Sequence, residues 1–211
     1  RWYVVALLAP SVLTLLGALV YFALAPGAFD PTAKSYAQLA RAQLGADASQ
    51  VPALMAAQFA SAALLAPFFN MIFAIGEEAG WRGFLYPALR GWLPRPAAML
   101  ATGAIWGLWH APLIAMGYNY GTSYPGFPVV GILAMVLFCM GFGTLLCLLR
   151  DVTNSVWPCA LAHGALNAVA GLPVWLSTGG IGILGPAPLG FLACIPTLLL
   201  CAWILVGARK P

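Results

Sequence analysis

Charge is what this sequence has least of. Only 7% of its 211 residues are Asp, Glu, Lys or Arg, against about 25% in soluble domains. So few charges cannot cover a water-facing surface, which excludes a soluble globular domain. The hydrophobic content of 63% and the mean hydropathy of +0.93 place the chain in a bilayer. The net charge of +4 is therefore no nucleic-acid signal: the bases fall between apolar runs, where they orient membrane proteins, and no nucleic-acid partner is expected. Cysteine is sparse and unpatterned. Cys139, Cys147, Cys159, Cys194 and Cys201 are odd in number, lie in apolar segments and form no C-x-x-C. That excludes a disulfide framework and gives no signature of a thiol nucleophile. Internal repeats and low-complexity tracts are missing too, which disfavours a transporter built from duplicated halves.

The apolar runs that remain are long. Residues 2–25, 97–117, 129–149, 155–175 and 188–206 each approach the roughly 20 residues that cross a bilayer. Residues 52–89 exceed one straight span, and a helix over about 62–90 is predicted, with a break near Pro67 as the alternative. Ala23-Leu24-Ala25 resembles a signal-cleavage site, but the run before it exceeds a signal core of roughly 7–15 residues, so a retained helix is expected. Length fits one domain, 1–211, with its motif core over about 62–175. The fold class is all-α, a polytopic membrane helix bundle of about six to eight transmembrane helices. Arg1, Arg90, Arg95, Arg150, Arg209 and Lys210 fall on one side of the spans and only Lys34 and Arg41 on the other. By the positive-inside rule, the termini are expected to be cytoplasmic.

Against this background the polar residues stand out. The only two glutamates, Glu77 and Glu78, are adjacent inside an apolar run. An ionised residue at a helix centre costs roughly 2.5–3.5 kcal/mol on insertion scales, and such residues are usually functional. Glu78 and Arg82 are four apart and can pair. Glu77 points about 100° away, has no cation at i±3 or i±4, and needs another partner. The only two histidines, His110 and His163, also fall within spans. Counted from the inner helix ends, Glu77, His110 and His163 are about 13, 13 and 8 residues deep, within one or two turns of each other at ~1.5 Å per residue. Asn167 shares a face with His163. Small residues around all of them allow close helix approach. Taken singly, a membrane His or Asn is often a structural hydrogen bonder; together these residues predict one polar site.

Glu77-Glu78-x-x-x-Arg82-Gly83, Trp106-x-x-x-His110 and His163-x-x-x-Asn167 resemble, in order, the three motifs of the CPBP family. These are the CAAX-protease and bacteriocin-processing intramembrane proteases, also called the Abi or type II CAAX endopeptidase family. The one departure is Trp106, where the family's usual residue is Phe; an aromatic in place of an aromatic is expected to preserve packing. The resemblance implies an all-helical membrane core of about eight helices. About six are visible here, which points to missing N-terminal helices or a shorter subfamily.

The implied chemistry is peptide hydrolysis by an activated water. Glu77 fits the general base, and Glu78 a structural carboxylate kept ionised by Arg82. His110 fits the water holder, and His163 with Asn167 the oxyanion donors. Zinc is left open: Glu77, His110 and His163 could supply three ligands with water in the fourth position, whereas a metal-free water accounts for the same residues. H-E-x-x-H is absent. The expected partners are the lipid bilayer and a membrane-associated peptide or protein substrate. A prenylated C-a-a-X tail, a peptide pheromone, a bacteriocin leader and a membrane-anchored segment all fit. The bias to Ala, and to Arg over Lys, suggests a GC-rich bacterium and its inner membrane, which disfavours prenyl substrates. Two other classes stay open: a catalytically silent membrane immunity or scaffold protein on the same fold, and a proton-coupled transporter using the buried carboxylates.

Overall fold

Where the sequence predicts one helix over 62–90, the chain is bent and rewound. In the computed structural model, which describes residues 1–180 and 182–208, α3 (Val51–Leu64) and α4 (Ala66–Glu78) are separate helices. The segments on either side of the break meet at 44°. Pro67, in the first turn of α4, supplies the cause: it donates no N–H, and its ring clashes with the carbonyl one turn back. Past α4 the backbone widens into a π-helix over Ala79–Leu85 before α5 (Tyr86–Arg90). The Tyr86 N–H reaches back to Trp81 O, leaving Arg82 O without its α-helical donor. Pro87 has no N–H to serve instead. Arg150 Nε fills the place at 3.1 Å.

The other helices follow the apolar runs with adjusted ends. The first span is α1 (Trp2–Leu24) and α2 (Lys34–Leu44) is a short polar helix after it. The third span is α6 (Arg95–Trp109) continued by α7 (Ala111–Ala115), with the join at His110 and Pro112 in the first turn of α7. The fourth is α8 (Val129–Thr153), closed by Asn154 in the left-handed conformation. The fifth is α9 (Trp157–Val169), followed by a 3₁₀ turn over Leu172–Leu176. The sixth expected span is cut short: α10 (Ile195–Gly207) has 13 residues, about 20 Å at 1.5 Å per residue. The N–H groups of Phe191 and Leu192 bond to Ile183 and Leu184 carbonyls, which removes them from any helix starting at 188. Among the described residues four helices are long and apolar enough to cross a membrane, or five if the bent pair is one span. This is an all-α, integral membrane bundle. Arg209 and Lys210, used above for orientation, lie outside the described residues.

Helix α9 is the centre of the bundle, buried from Pro158 to Leu166, with α1 and α4 packed against it; α6 and α10 pack on α8. Two glycines set these distances. A Cβ on Gly164 of α9 would lie 2.5 Å from Met71 N and 2.7 Å from Pro67 O of α4. One on Gly103 of α6 would lie 2.5 Å from Cys139 O of α8. In a bilayer, where lipid tails compete with side chains, such close backbone approach favours helix association through van der Waals packing. The first contact fixes the start of α4 against the middle of α9, and the second fixes α6 against α8. The site residues lie further along α4 (Glu77 and Glu78), just past the end of α6 (His110), and beside Gly164 on α9 (His163).

Candidate active site

Glu78 and Arg82 are fully buried, at 0% exposure each. Arg82 Nη1 donates to Glu78 Oε1 at 2.9 Å and to Oε2 at 3.1 Å. The pair is not closed on itself, because His163 Nδ1 lies 2.9 Å from the same Oε1. Glu78 thus holds both an arginine four residues on and a histidine from α9, and only the first partner could be read from spacing. The Arg82 guanidinium also lies over the Trp106 ring, 4.6 Å from its centroid, a favourable arrangement for a cation out of water.

Glu77 turns the other way and meets two indoles. Trp106 Nε1 donates to Glu77 Oε2 at 3.1 Å, and Trp81 Nε1 to the same oxygen at 3.4 Å. Sequence reasoning missed both contacts. For Trp81 the signal was present, since it stands four residues after Glu77. For Trp106 the expectation of packing alone is corrected: the residue packs and also donates a hydrogen bond that Phe could not.

His110, at the α6–α7 join, places Nδ1 2.9 Å from Trp106 O. A carboxylate and a carbonyl oxygen only accept hydrogen bonds, so Nδ1 carries the proton in both imidazoles. The Nε2 atoms are then left for other work. A cavity of about 400 Å³ is lined by Trp106, His110, His163 and Asn167, together with Tyr118 and Asn119 of the loop after α7. Asn167 is exposed, one turn beyond His163. Glu77 is not among the lining residues; it touches Trp106, which is. The two loop residues had no sequence signal beyond their place in a tyrosine-rich connection. Another cavity, about 290 Å³ between α1, α3 and α9, is apolar, and no titratable group is among its lining residues.

The fit of a metal can be judged from the donors. Among the described residues, no three His, Cys, Asp or Glu side chains come together as a metal-holding set. The bonded Nδ1 atoms leave both Nε2 atoms able to ligate, but one oxygen of Glu77 is held by the indoles. The residues Glu77, His110 and His163 do not fit a three-ligand zinc site in this arrangement.

A family model described as Rce1-like type II CAAX prenyl endopeptidase matches residues 56–169, more than half of the chain. The chain belongs to this family. The matched stretch runs from α3 to the end of α9 and contains every residue of the site described above, in agreement with the resemblance carried by the three motifs. A curated relative, CAAX prenyl protease 2 of Methanococcus maripaludis, is 36% identical over 53 residues, covering 25% of this chain and 20% of the relative. The chain therefore matches about a fifth of that relative's length. No solved structure matches the chain.

Proposed function

We propose that this Rce1-like chain is an intramembrane endopeptidase that hydrolyses peptide bonds of membrane-associated peptides or proteins. The reading rests on one observation. Two imidazoles, each held through Nδ1 by an oxygen that can only accept, share a cavity in an apolar bundle with an exposed carboxamide.

In the proposed reaction a water donates one hydrogen bond to Glu77 Oε1 and the other to the Nε2 lone pair of His110. Glu77 takes the proton as the water oxygen attacks the scissile carbonyl carbon. The carbonyl oxygen becomes an oxyanion and accepts hydrogen bonds from His163 Nε2–H and from the Asn167 carboxamide. In this role His163 carries protons on both nitrogens, with Nδ1–H bonded to Glu78. Collapse of the tetrahedral intermediate breaks the C–N bond, and the proton on Glu77 passes to the departing amine. Glu78 and Arg82 take no part in bond making; they hold His163. The bundle limits access of other water, which strengthens each of these interactions. No metal has a step in this scheme.

The test is cleavage of a membrane-anchored peptide library by the purified protein. The parent should cleave. Glu77→Gln, nearly the same size and uncharged, should fold like the parent and lose about 10²–10⁴ in rate. Parent-like turnover by Glu77→Gln would remove Glu77 from the chemistry and return the constellation to a structural or transport role.

A further inference from the structure

The indoles of Trp81 and Trp106 both end on one oxygen of Glu77, and nothing in hydrolysis by a Glu-activated water requires that. A carboxylate on a flexible stem can rotate and offer either oxygen, and here the rotation is stopped. Trp106 is 2% exposed and is fixed on several sides. The Arg82 guanidinium lies over its ring, and the imidazoles of His163 and His110 meet it edge-on at centroid distances of 5.1 and 5.9 Å. Trp81 is braced edge-on by Trp109 at 6.0 Å. Trp106 therefore sits on a packed surface, and the half-buried Trp81 leans on the more exposed Trp109. Their bonds go to Oε2, at 3.1 and 3.4 Å, and Oε1 takes neither.

We infer that Trp106 and Trp81 are positioning residues that pin Oε2 of Glu77, so that Oε1 is the oxygen that receives the proton. The inference rests on the reading of Glu77 as general base. It also gives the departure at 106 a consequence. A Phe there would keep the ring against Arg82 and the two imidazoles but would leave the glutamate held only by the longer bond from Trp81. Trp106 further joins the two halves of the site, since the same side chain bonds Glu77, stacks on Arg82 and abuts both histidines. A shift of Glu77 relative to His110 is thereby opposed by the packing that holds His163.

The experiment uses Trp106→Phe and Trp81→Phe in the parent and in Glu77→Gln, with kcat, KM and thermal midpoint measured on the full chain in detergent. Trp106→Phe should lower kcat about 10- to 100-fold, the range corresponding to loss of one hydrogen bond to a charged group. KM should change less than kcat, because the Nε1–H that Trp106→Phe removes is bonded to Glu77 and not free to bind substrate. Trp81→Phe, removing the longer bond, should lower kcat less. In the Glu77→Gln background Trp106→Phe should cause little further loss, because the atom it positions no longer accepts a proton. A merely structural tryptophan would lower the thermal midpoint and act equally in both backgrounds, and that result overturns the inference. So does parent-like kcat in Trp106→Phe while Glu77→Gln is inactive, a result that leaves the reading of Glu77 standing. Parent-like turnover by Glu77→Gln instead removes the reading itself. If Trp106→Phe does not fold, Trp81→Phe at its half-buried position decides by the same comparison.

Discussion

Glu78 Oε1 lies 2.9 Å from Arg82 Nη1 and 2.9 Å from His163 Nδ1, so one buried carboxylate oxygen ties the end of α4 to the middle of α9. The oxygen joins two functions. It pairs with a guanidinium that has no access to water, and it sets the orientation of an imidazole that faces the cavity.

Removing that charge should be costly. Among the described residues Arg82 bonds no other acceptor, and its Nε and Nη2 are buried without partners. A glutamine at 78 offers one acceptor oxygen in place of two, and its amide nitrogen opposes either Arg82 or His163. Glu78→Gln should lose about 3–5 kcal/mol, the usual cost of breaking a buried pair. The check is the thermal midpoint in detergent, measured beside Glu77→Gln. A midpoint equal to that of the parent would show that the pair is not structural.

Helix spacing predicts a contrast between two glycines. Gly164→Ala forces a methyl group to within 2.5 Å of Met71 N and 2.7 Å of Pro67 O. These are backbone atoms that cannot turn aside, so α9 and α4 must separate. Overpacking of this kind costs about 1–3 kcal/mol, and it should also lower turnover, since Glu77, Glu78 and His163 sit on the two helices displaced. Gly76→Ala places its methyl group in open space within α4 and should be neutral, or stabilising by about 0.5–1 kcal/mol. Thermal midpoints and turnover of the two variants, side by side, test the packing directly. Equal behaviour would contradict the close approach at Gly164.

The sequence made some of this legible and hid the rest for identifiable reasons. Spans α1 and α8 could be read because uninterrupted apolar runs have no other use, and the i, i+4 spacing was enough to pair Glu78 with Arg82. Two kinds of information were out of reach. Backbone geometry at proline was one: a break near Pro67 was only the alternative to a single helix over 62–90, and no periodicity announced the π-helix over Ala79–Leu85, whose orphaned Arg82 carbonyl is served from 68 residues away by Arg150. Partner choice across helices was the other. Glu77 visibly lacked a cation, but an indole N–H does not appear in any charge count, so Trp106 was read for its ring alone. The same limit applied to His163, whose bond to Glu78 spans 85 residues.

Asn167 offers a test confined to the cavity. It is exposed at the cavity wall and bears no buried charge, so replacing it should leave folding intact. Asn167→Ala should reduce kcat about 10²–10³-fold, the range seen when one oxyanion donor is lost, with the thermal midpoint near that of the parent. Asn167→Asp puts a negative charge where the oxyanion forms and should be slower still. If Asn167→Ala turns over like the parent, the oxyanion is held elsewhere, and the backbone and side chains of Tyr118 and Asn119 become the next donors to examine.

The donor arrangement also makes a prediction about metals. Zinc hydrolases supply three protein ligands to one ion and leave the fourth position to water. Here Glu77 and the two imidazoles do not converge as such a set, and the indoles hold Glu77 Oε2. Turnover should therefore survive a strong chelator followed by desalting into metal-free buffer, and the purified protein should hold zinc well below one equivalent by elemental analysis. The pattern of variants adds a second arm. If water is activated by Glu77 and His110 alone, Glu77→Asp shortens the reach by one methylene and loses most activity, and added zinc does not restore it. Loss of turnover with chelator, recovery with about one equivalent of zinc, and partial rescue of His110→Cys by the metal would together reverse the assignment and make Glu77, His110 and His163 ligands rather than base, holder and donor.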